Sequence, residues 1–372
     1  MNIALFTDSY LPNTDGVVSS ILAYKSGLEA QSHRLSIFAP DADMAKKEPG
    51  VYRFAALKFP PYPEYRAAIF PFVSGDVAKK NSLQLVHCKA MMNMALSAIS
   101  FASRTKLPAM ASLETMIPDS AHYIIPHKAA EKIGRRVGWA YLRWLYSHFR
   151  IVTAPSRHTQ RLMAENRIES EVLPSPVDTE RFKPGKGGAL VRKTLGLSKK
   201  KVIASIGRVV REKNYSFLLR VAKEIKDDDT VFLIVGRGPY LDELRQEAWK
   251  AGVSGKFAFV GYVPEELLVD YYNAADAFVF PSLFETQGLA LMEALACGKP
   301  GCVIRQTPME EMINEGKNGY VFSEDEKECA EKLSACLAKG SGLSENARKT
   351  ALHYSIPNCT KKLVGVYERL LE

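Results

Sequence analysis

Short apolar, β-branched runs alternate with helix-length amphipathic segments twice along this chain, and that alternation limits the fold more than any other feature. It is the pattern of βα units wound around a parallel sheet. In the first half "NIALFTD", "RLSIFAP", "LQLVHCK", "PAMASLE", "RIVTAPS" and "SEVLPSP" read as strands. In the second half "KVIASIGR", "TVFLIVGRG", "KFAFVGYV", "DAFVFPS" and "PGCVI" do the same. Between the two series lies "SPVDTERFKPGKGGALVRKTLGLSKKK", rich in Gly, Pro and Lys, which carries the expected domain boundary. At 372 residues the chain exceeds what one hydrophobic core usually organises. Two α/β domains facing a cleft are therefore expected, 1–180 with about 355–372, and 181–354.

Several function classes can be set aside. No uninterrupted apolar run approaches the roughly 20 residues that cross a bilayer, and the start "MNIALFTDSY" has no basic leader or small-residue cleavage site. A cytoplasmic protein is the expectation, peripheral on the inner membrane face if it meets lipid. The six cysteines form no C-x-x-C pair and have no histidines at metal spacing, so they read as buried thiols. Net charge is +9, and residues 1–183 hold 23 Lys+Arg against 16 Asp+Glu while the remainder holds 27 against 25. A basic first half could face nucleic acid, an anionic membrane or a phosphorylated substrate.

Ligands of open parallel sheets bind at the carboxyl ends of the strands, so the residues leaving each strand carry the functional signal. In "FTDSYLPNTDGVVSSIL", Gly16 stands where a strand exit turns into a helix, a place that can admit an anion close to the backbone, although one glycine alone is better read as an ordinary βα turn. In "IGRVVREKN", Arg208 and Lys213 follow a strand and could hold a diphosphate, or could simply be solvated. "VGRGPYL" resembles the start of a dinucleotide fingerprint, yet Leu241 stands where the third glycine belongs and Pro239 interrupts it, which argues against a nicotinamide site. In "SLFETQGLALMEALACGKP" a helix is expected from near Gln287 to before Gly298. Glu285 then falls in the turn and Glu293 on the second helical turn. Carboxylates accept paired hydrogen bonds from vicinal hydroxyls, and the amides around Gly288 and Leu289 can take phosphate oxygens. By spacing alone, Glu285 is equally well a charge at the helix N-terminus and Glu293 an exposed helix position.

The segments "FTDSYLPNTDGVVSSI", "GRVVREKN", "VGRGP" and "GYVPEELLVDYYNAADAFVFPSLFETQGLALMEALACGKP" resemble, in order and over nearly the whole chain, the motif series of the retaining nucleotide-sugar glycosyltransferases of family 4. The variant "ETQGL", with Thr286 and Gln287, is similar to the branch that glycosylates glycerolipids, such as diacylglycerol glucosyltransferases. The resemblance implies the GT-B fold, two Rossmann-like parallel-sheet domains. It gives Glu285 to the donor hexose, Glu293 to the ribose, Arg208 and Lys213 to the diphosphate, and Gly16 to its other side. Gly288, Leu289 and Gln287 would lie beside phosphates and sugar, and Tyr262 and Val263 near the base. The donor would be a UDP- or GDP-hexose, with no cofactor and no metal. Attack would occur on the same face that the leaving group quits, the departing phosphate oxygen taking the acceptor proton, and the C-terminal helix would cross back onto the N-terminal domain.

The chain departs from the family pattern at three places. Glu114 stands where a histidine precedes Thr115, and it could hydrogen-bond the donor sugar or act as a base toward the acceptor. The His-x-His motif appears as His87, Cys88 and Lys89, which makes His87 and Lys89 acceptor-side candidates. Ser175 and Pro176 replace an Asn-Gly pair, with Asp178 still following.

The segment from Lys128 to Arg150 holds six Lys/Arg and one Glu. Its cations recur at helical steps while Ile133, Val137, Tyr141 and Trp144 occupy another face, which suits an anionic membrane surface or, alternatively, a helix packed by that stripe into the core. The stretch "ALKFPPYPEYRAAIFPFV" adds aromatics that could form a lip for a lipid or glycan acceptor. The expected partners are thus a nucleotide-sugar, a lipid or glycan acceptor and an anionic membrane surface, and not nucleic acid, because Glu285 and Glu293 beside the cations repel a polyanion. A glycosyltransferase acting on a glycerolipid leads. Transfer to a soluble or polysaccharide acceptor and a non-catalytic nucleotide-sugar binding protein are its rivals.

Overall fold

The computed structural model describes residues 1–42, 47–59, 62–116 and 128–372, with the side chains of 59–65 and 128–131 outside the description. The chain forms two α/β units, one of Met1–Pro176 with Ile356–Glu372, the other of Val177–Ser355.

The first unit holds strands β1 (Asn2–Thr7), β2 (Arg34–Pro40), β3 (Val51–Phe54), β4 (Ala56–Phe59), β5 (Tyr62–Ala68), β6 (Leu85–Lys89), β7 (Ala109–Ser112), β8 (Ile151–Ala154) and β9 (Glu171–Val172). Seven of them form a parallel sheet in the order β3-β2-β1-β6-β7-β8-β9, while β4 and β5 pair antiparallel in a separate hairpin. Helices α1 (Gly16–Ala30), α2 (Gly75–Lys80), α3 (Asn93–Thr105), α4 (Lys128–Tyr146) and α5 (Arg157–Glu165) connect the strands. The central strands are covered on both faces, so β1 is buried from Ile3 to Thr7 without alternation. Phe6 stacks on Phe38 with centroids 4.6 Å apart and also meets Phe101 of α3. Each such buried ring contributes about 1.5–3 kcal/mol.

Asp8, at the exit of β1, ties two connections together. Its carboxylate accepts from the amides of Met91, Met92 and Met94 at 2.6, 2.8 and 3.3 Å, capping the start of α3, whose own N-cap residue, Met92, supplies no side-chain bond. Burial raises this carboxyl above its usual range, and the three amide bonds oppose the rise.

The second unit holds β10 (Lys201–Ile206), β11 (Thr230–Val235), β12 (Phe257–Gly261), β13 (Ala277–Phe280), β14 (Gly301–Ile304) and β15 (Gly319–Phe322) in one parallel sheet ordered β12-β11-β10-β13-β14-β15. Its helices are α6 (Gly188–Thr194), α7 (Tyr215–Glu224), α8 (Leu241–Lys250), α9 (Glu265–Asn273), α10 (Leu289–Ala296), α11 (Glu326–Lys339) and α12 (Ser341–Leu352). The order reverses at β10/β13, the switch point at which such sheets hold ligands.

The last helix, α13 (Ile356–Leu371), belongs to the first unit. His87 anchors it: Nδ1 pairs with the Tyr367 hydroxyl at 2.8 Å, and Nε2 with Ser112 Oγ at 2.7 Å, which in turn pairs with Thr153 Oγ1. His87 is fully buried, and burial together with the nearby Lys89 ammonium holds its ring well below the usual range, so it is neutral. Expected on the acceptor side, His87 instead spends both ring nitrogens on internal partners and acts as a tether between sheet and helix. All six cysteines are free and buried.

Four strands escape the sequence reading: β3, β4, β5 and β15. β3 is a half-exposed edge strand, β4 and β5 form a hairpin without a clean apolar period, and "GYVF" of β15 is four residues long.

Candidate active site

In the second unit the exits of β10, β11, β12 and β13 bring the predicted donor-side residues onto one end of one sheet. Arg208 follows β10, half-buried, and Lys213 ends the short 3-10 turn Arg211–Lys213. The Lys213 ammonium pairs with the Glu285 carboxylate, in the turn after β13, and lies 5.3 Å from the centroid of the Phe280 ring. The two side chains are 22% and 13% exposed, so the pair is largely shielded but open to a ligand at the strand ends.

Glu285 is placed by the turn that enters α10. Gly288 caps this helix at φ 94°, left-handed backbone that glycine adopts without strain, and a Cβ there would come within 2.7 Å of Met309 Cγ. The N-cap residue Gly288 has no side chain to cap α10, whose N-terminus places the positive end of its dipole three residues after Glu285. Leu289 opens the helix half-buried, whereas Gln287 is buried and donates to Met292 Sδ at 3.1 Å. Gln287, expected among the donor-binding side chains, is thus turned inward beneath the turn.

Glu293 sits on the second turn of α10, half-buried, and accepts the Tyr272 hydroxyl at 2.6 Å. Burial lifts its carboxyl from 4.5 to about 7, with the Tyr272 hydrogen bond opposing the rise. An acid raised in the folded state costs nothing below its unfolded value, and its cost grows as pH climbs from 4.5 to 7 and is complete above 7. Glu293→Gln, which keeps an acceptor for Tyr272, should therefore gain thermal stability over wild type between pH 5 and pH 8. A melting-temperature difference that stays flat across that range would contradict the assignment.

At the exit of β12, Tyr262 is 55% exposed and lies under the Arg237 guanidinium, 4.8 Å from the ring centroid. Its neighbour Val263 is buried in the core, so of the expected base-side pair only Tyr262 offers a side chain. Arg237 escapes the sequence reading because it stands between Gly236 and Gly238 in "VGRGPYL", where the glycines are the visible signal. Gly236 has a packing reason: at φ 137° it passes so close to β10 that a Cβ would come within 1.8 Å of the Gly207 carbonyl oxygen.

In the first unit Gly16 begins α1, exposed, behind the Asp15 N-cap, which accepts from Val18 N at 2.9 Å and from the Ser9 hydroxyl at 2.6 Å. Lys89, at the end of β6, pairs with Glu114, two residues past β7, at 2.6 Å. Lys89 was expected on the acceptor side, but its side chain is 1% exposed, while Glu114 keeps 10%.

Of the two alternatives for the Ile133, Val137, Tyr141 and Trp144 stripe of α4, packing into the core holds for Tyr141 alone, and a different face turns inward. Trp139, Leu142, Leu145 and Tyr146 are buried, and Tyr141 is half-buried with its hydroxyl donating to Met91 O at 2.5 Å. Ile133, Val137 and Trp144 stand 63%, 61% and 48% exposed, beside exposed Lys132, Arg136 and Arg143. Beyond the β4–β5 hairpin Phe70 and Phe72 are exposed as well, with Arg104 over the Phe72 ring at 4.4 Å. Lys128 and residues 59–65 of the aromatic stretch lie outside the described side chains. Among the described residues no helix is long and apolar enough to cross a membrane.

A family model for Glycosyltransferase Family 4 matches residues 14–181, and one for Glycosyl transferases group 1 matches 190–353. The chain belongs to the family 4 glycosyltransferases. Among its relatives, an alpha-monoglucosyldiacylglycerol synthase of Streptococcus pneumoniae is 28% identical over 338 residues, covering 87% of this chain and 75% of the relative. One from Acholeplasma laidlawii is 26% identical over 344 residues, 88% of this chain and 86% of the relative. The crystal structure of Anabaena HepE in complex with UDP superposes with a TM-score of 0.77 at 17% identity, covering 99% of this chain and all of that one. The fold of this glycosyltransferase is accordingly GT-B.

Proposed function

We propose that the enzyme is a retaining hexosyltransferase that moves a hexose from a UDP- or GDP-hexose to the hydroxyl of a glycerolipid at an anionic membrane surface. The observation that carries this reading is the Lys213–Glu285 pair at the switch point of the second sheet. A cation suited to a diphosphate and a carboxylate suited to sugar hydroxyls stand together at the N-terminus of α10. In the donor complex the diphosphate takes Lys213 and Arg208, and the hexose hydroxyls take Glu285. Glu293 accepts from the ribose, the first amides of α10 at Gly288 and Leu289 meet phosphate oxygens, and the base lies on Tyr262 with Arg237. Gly16, at the exposed start of α1, is the proposed phosphate contact of the first unit, and Glu114 accepts a hydrogen bond from a sugar or acceptor hydroxyl.

As the anomeric bond lengthens, negative charge grows on the departing phosphate. Arg208, Lys213 and the α10 dipole stabilise it there, and this needs no metal. The acceptor attacks from the side the phosphate leaves, and a phosphate oxygen takes its proton, so the sugar keeps its configuration without a protein nucleophile.

The lipid acceptor rests on α4. Exposed Ile133, Val137 and Trp144 flanked by Lys132, Arg136 and Arg143 suit an interfacial helix, in which each cation near an anionic surface adds about 1 kcal/mol. The names of the two synthases, both acting toward diacylglycerol glycolipids, point the same way.

The test is a matrix of nucleotide-sugars against diacylglycerol in anionic liposomes, diacylglycerol in neutral liposomes and soluble sugars, with anomer analysis of the product. Transfer of the hexose with its α configuration kept, strongest on anionic liposomes, is expected. An inverted product refutes retention, transfer to soluble sugars alone refutes the lipid acceptor, and failure to sediment with anionic vesicles at low salt refutes the membrane surface.

A further inference from the structure

Lys89, at the last of the three residues in the family's His-x-His position, is a buried cation whose contacts all lie inside the first unit. Its ammonium contacts Glu114 Oε1 at 2.6 Å, donates to Ser20 Oγ of α1 at 2.8 Å, and lies 4.9 Å from the centroid of the Tyr24 ring. Those partners are fixed in turn: Ser20 donates to Ser175 Oγ at 3.0 Å and the Tyr24 hydroxyl to the Pro174 carbonyl at 2.6 Å. Three donors thus meet a carboxylate, a hydroxyl and a ring face, all within the first unit. At 1% exposure the ammonium cannot itself receive a substrate. A buried ion pair adds little stability over apolar residues of the same volume, so its main consequence is geometric.

We propose that Lys89 is a positioning residue: it holds the Glu114 carboxylate, the more exposed member of the pair, in one place at the carboxyl end of the first sheet, where Glu114 works on the substrate hydroxyls. The proposal rests on the transferase reading above. Lys89 then acts only through Glu114. Loss of the ammonium removes one restraint on the carboxylate, and a displacement of about 1 Å at a reacting group costs up to about 10²-fold in rate.

The experiment is a cycle of Lys89→Met, Glu114→Gln and the double variant, with kcat and donor KM measured for each and folding checked by circular dichroism. Lys89→Met should lower kcat at least about tenfold while donor KM stays within about twofold. Added to Glu114→Gln, the same change should alter kcat by less than about twofold, because the group it positions is already gone. Should Lys89→Met leave Glu114 buried without its cation and fail to fold, the double variant, which buries no charge, decides by comparison with Glu114→Gln alone. Equal kcat supports the proposal and a further loss overturns it. Equal losses in both backgrounds, or a loss confined to donor KM, also overturn it. Wild-type protein that transfers no sugar at all sinks the transferase reading and the role of the pair with it, whereas active wild type with additive losses sinks the Lys89 proposal alone.

Discussion

Lys213→Ala is expected to lower kcat for hexosyl transfer by about 10²- to 10³-fold, the range seen when one preorganised donor to a developing anion is removed. The lysine is already held in place in the donor-free protein. Its ammonium is held by Glu285 and lies by the Phe280 ring, and its side chain is only 22% exposed, so little reorganisation precedes the step in which phosphate charge grows. Because that charge is fuller in the transition state than in the bound donor, the loss should fall on kcat more than on donor KM. Steady-state kinetics across a donor series check this, and a fall of less than tenfold would place the leaving-group charge elsewhere.

Glu285→Ala should be comparably severe, about 10²-fold or more in kcat/KM. A hydrogen bond to a charged group contributes about 1.5–3 kcal/mol, and losing two of them to adjacent hydroxyls corresponds to at least two decades in rate. Removal of the carboxylate also leaves Lys213 without its partner, so the two substitutions should be strongly non-additive. Glu293→Ala supplies the contrast: its carboxyl meets Tyr272 rather than a cation, and its loss should raise donor KM with kcat largely kept. If Glu285→Ala changed only donor KM, Glu285 would be a binding residue remote from the reacting sugar.

Much of the site was legible because its signals are local. The turn-to-helix passage "ETQGLALMEALA" carries its own punctuation, Gly288 with φ 94° followed by an unbroken helical run, so Glu285 in a turn and Glu293 on the second turn follow from the chain itself. Arg208 and Lys213 were visible for the same reason: a strand of buried β-branched residues ends at Ile206, and what comes next must leave the sheet. Arg237 carries no local signal, since its segment "VGRGPYL" stands out only by its glycines and its partner Tyr262 lies a strand and a helix away. For α4 the sequence leaves two alternatives open, because amphipathic spacing shows that a helix has two faces, and not which of two partly apolar stripes finds the core.

What the sequence determined, then, is the alternation of strands and helices, the identity of the strand exits and the residues standing at each, since all of these depend on neighbours within a few positions. Pairing was decided by tertiary structure. Lys213 meets Glu285 across 72 positions and His87 meets Tyr367 across 280, while Lys89 finds Glu114 because β6 lies beside β7 in the first sheet. Whether a charge or an imidazole is exposed at a site or buried as a tether depends on which strands the sheet sets side by side. That order is fixed by the packing of whole faces, for which no short stretch of sequence carries a record.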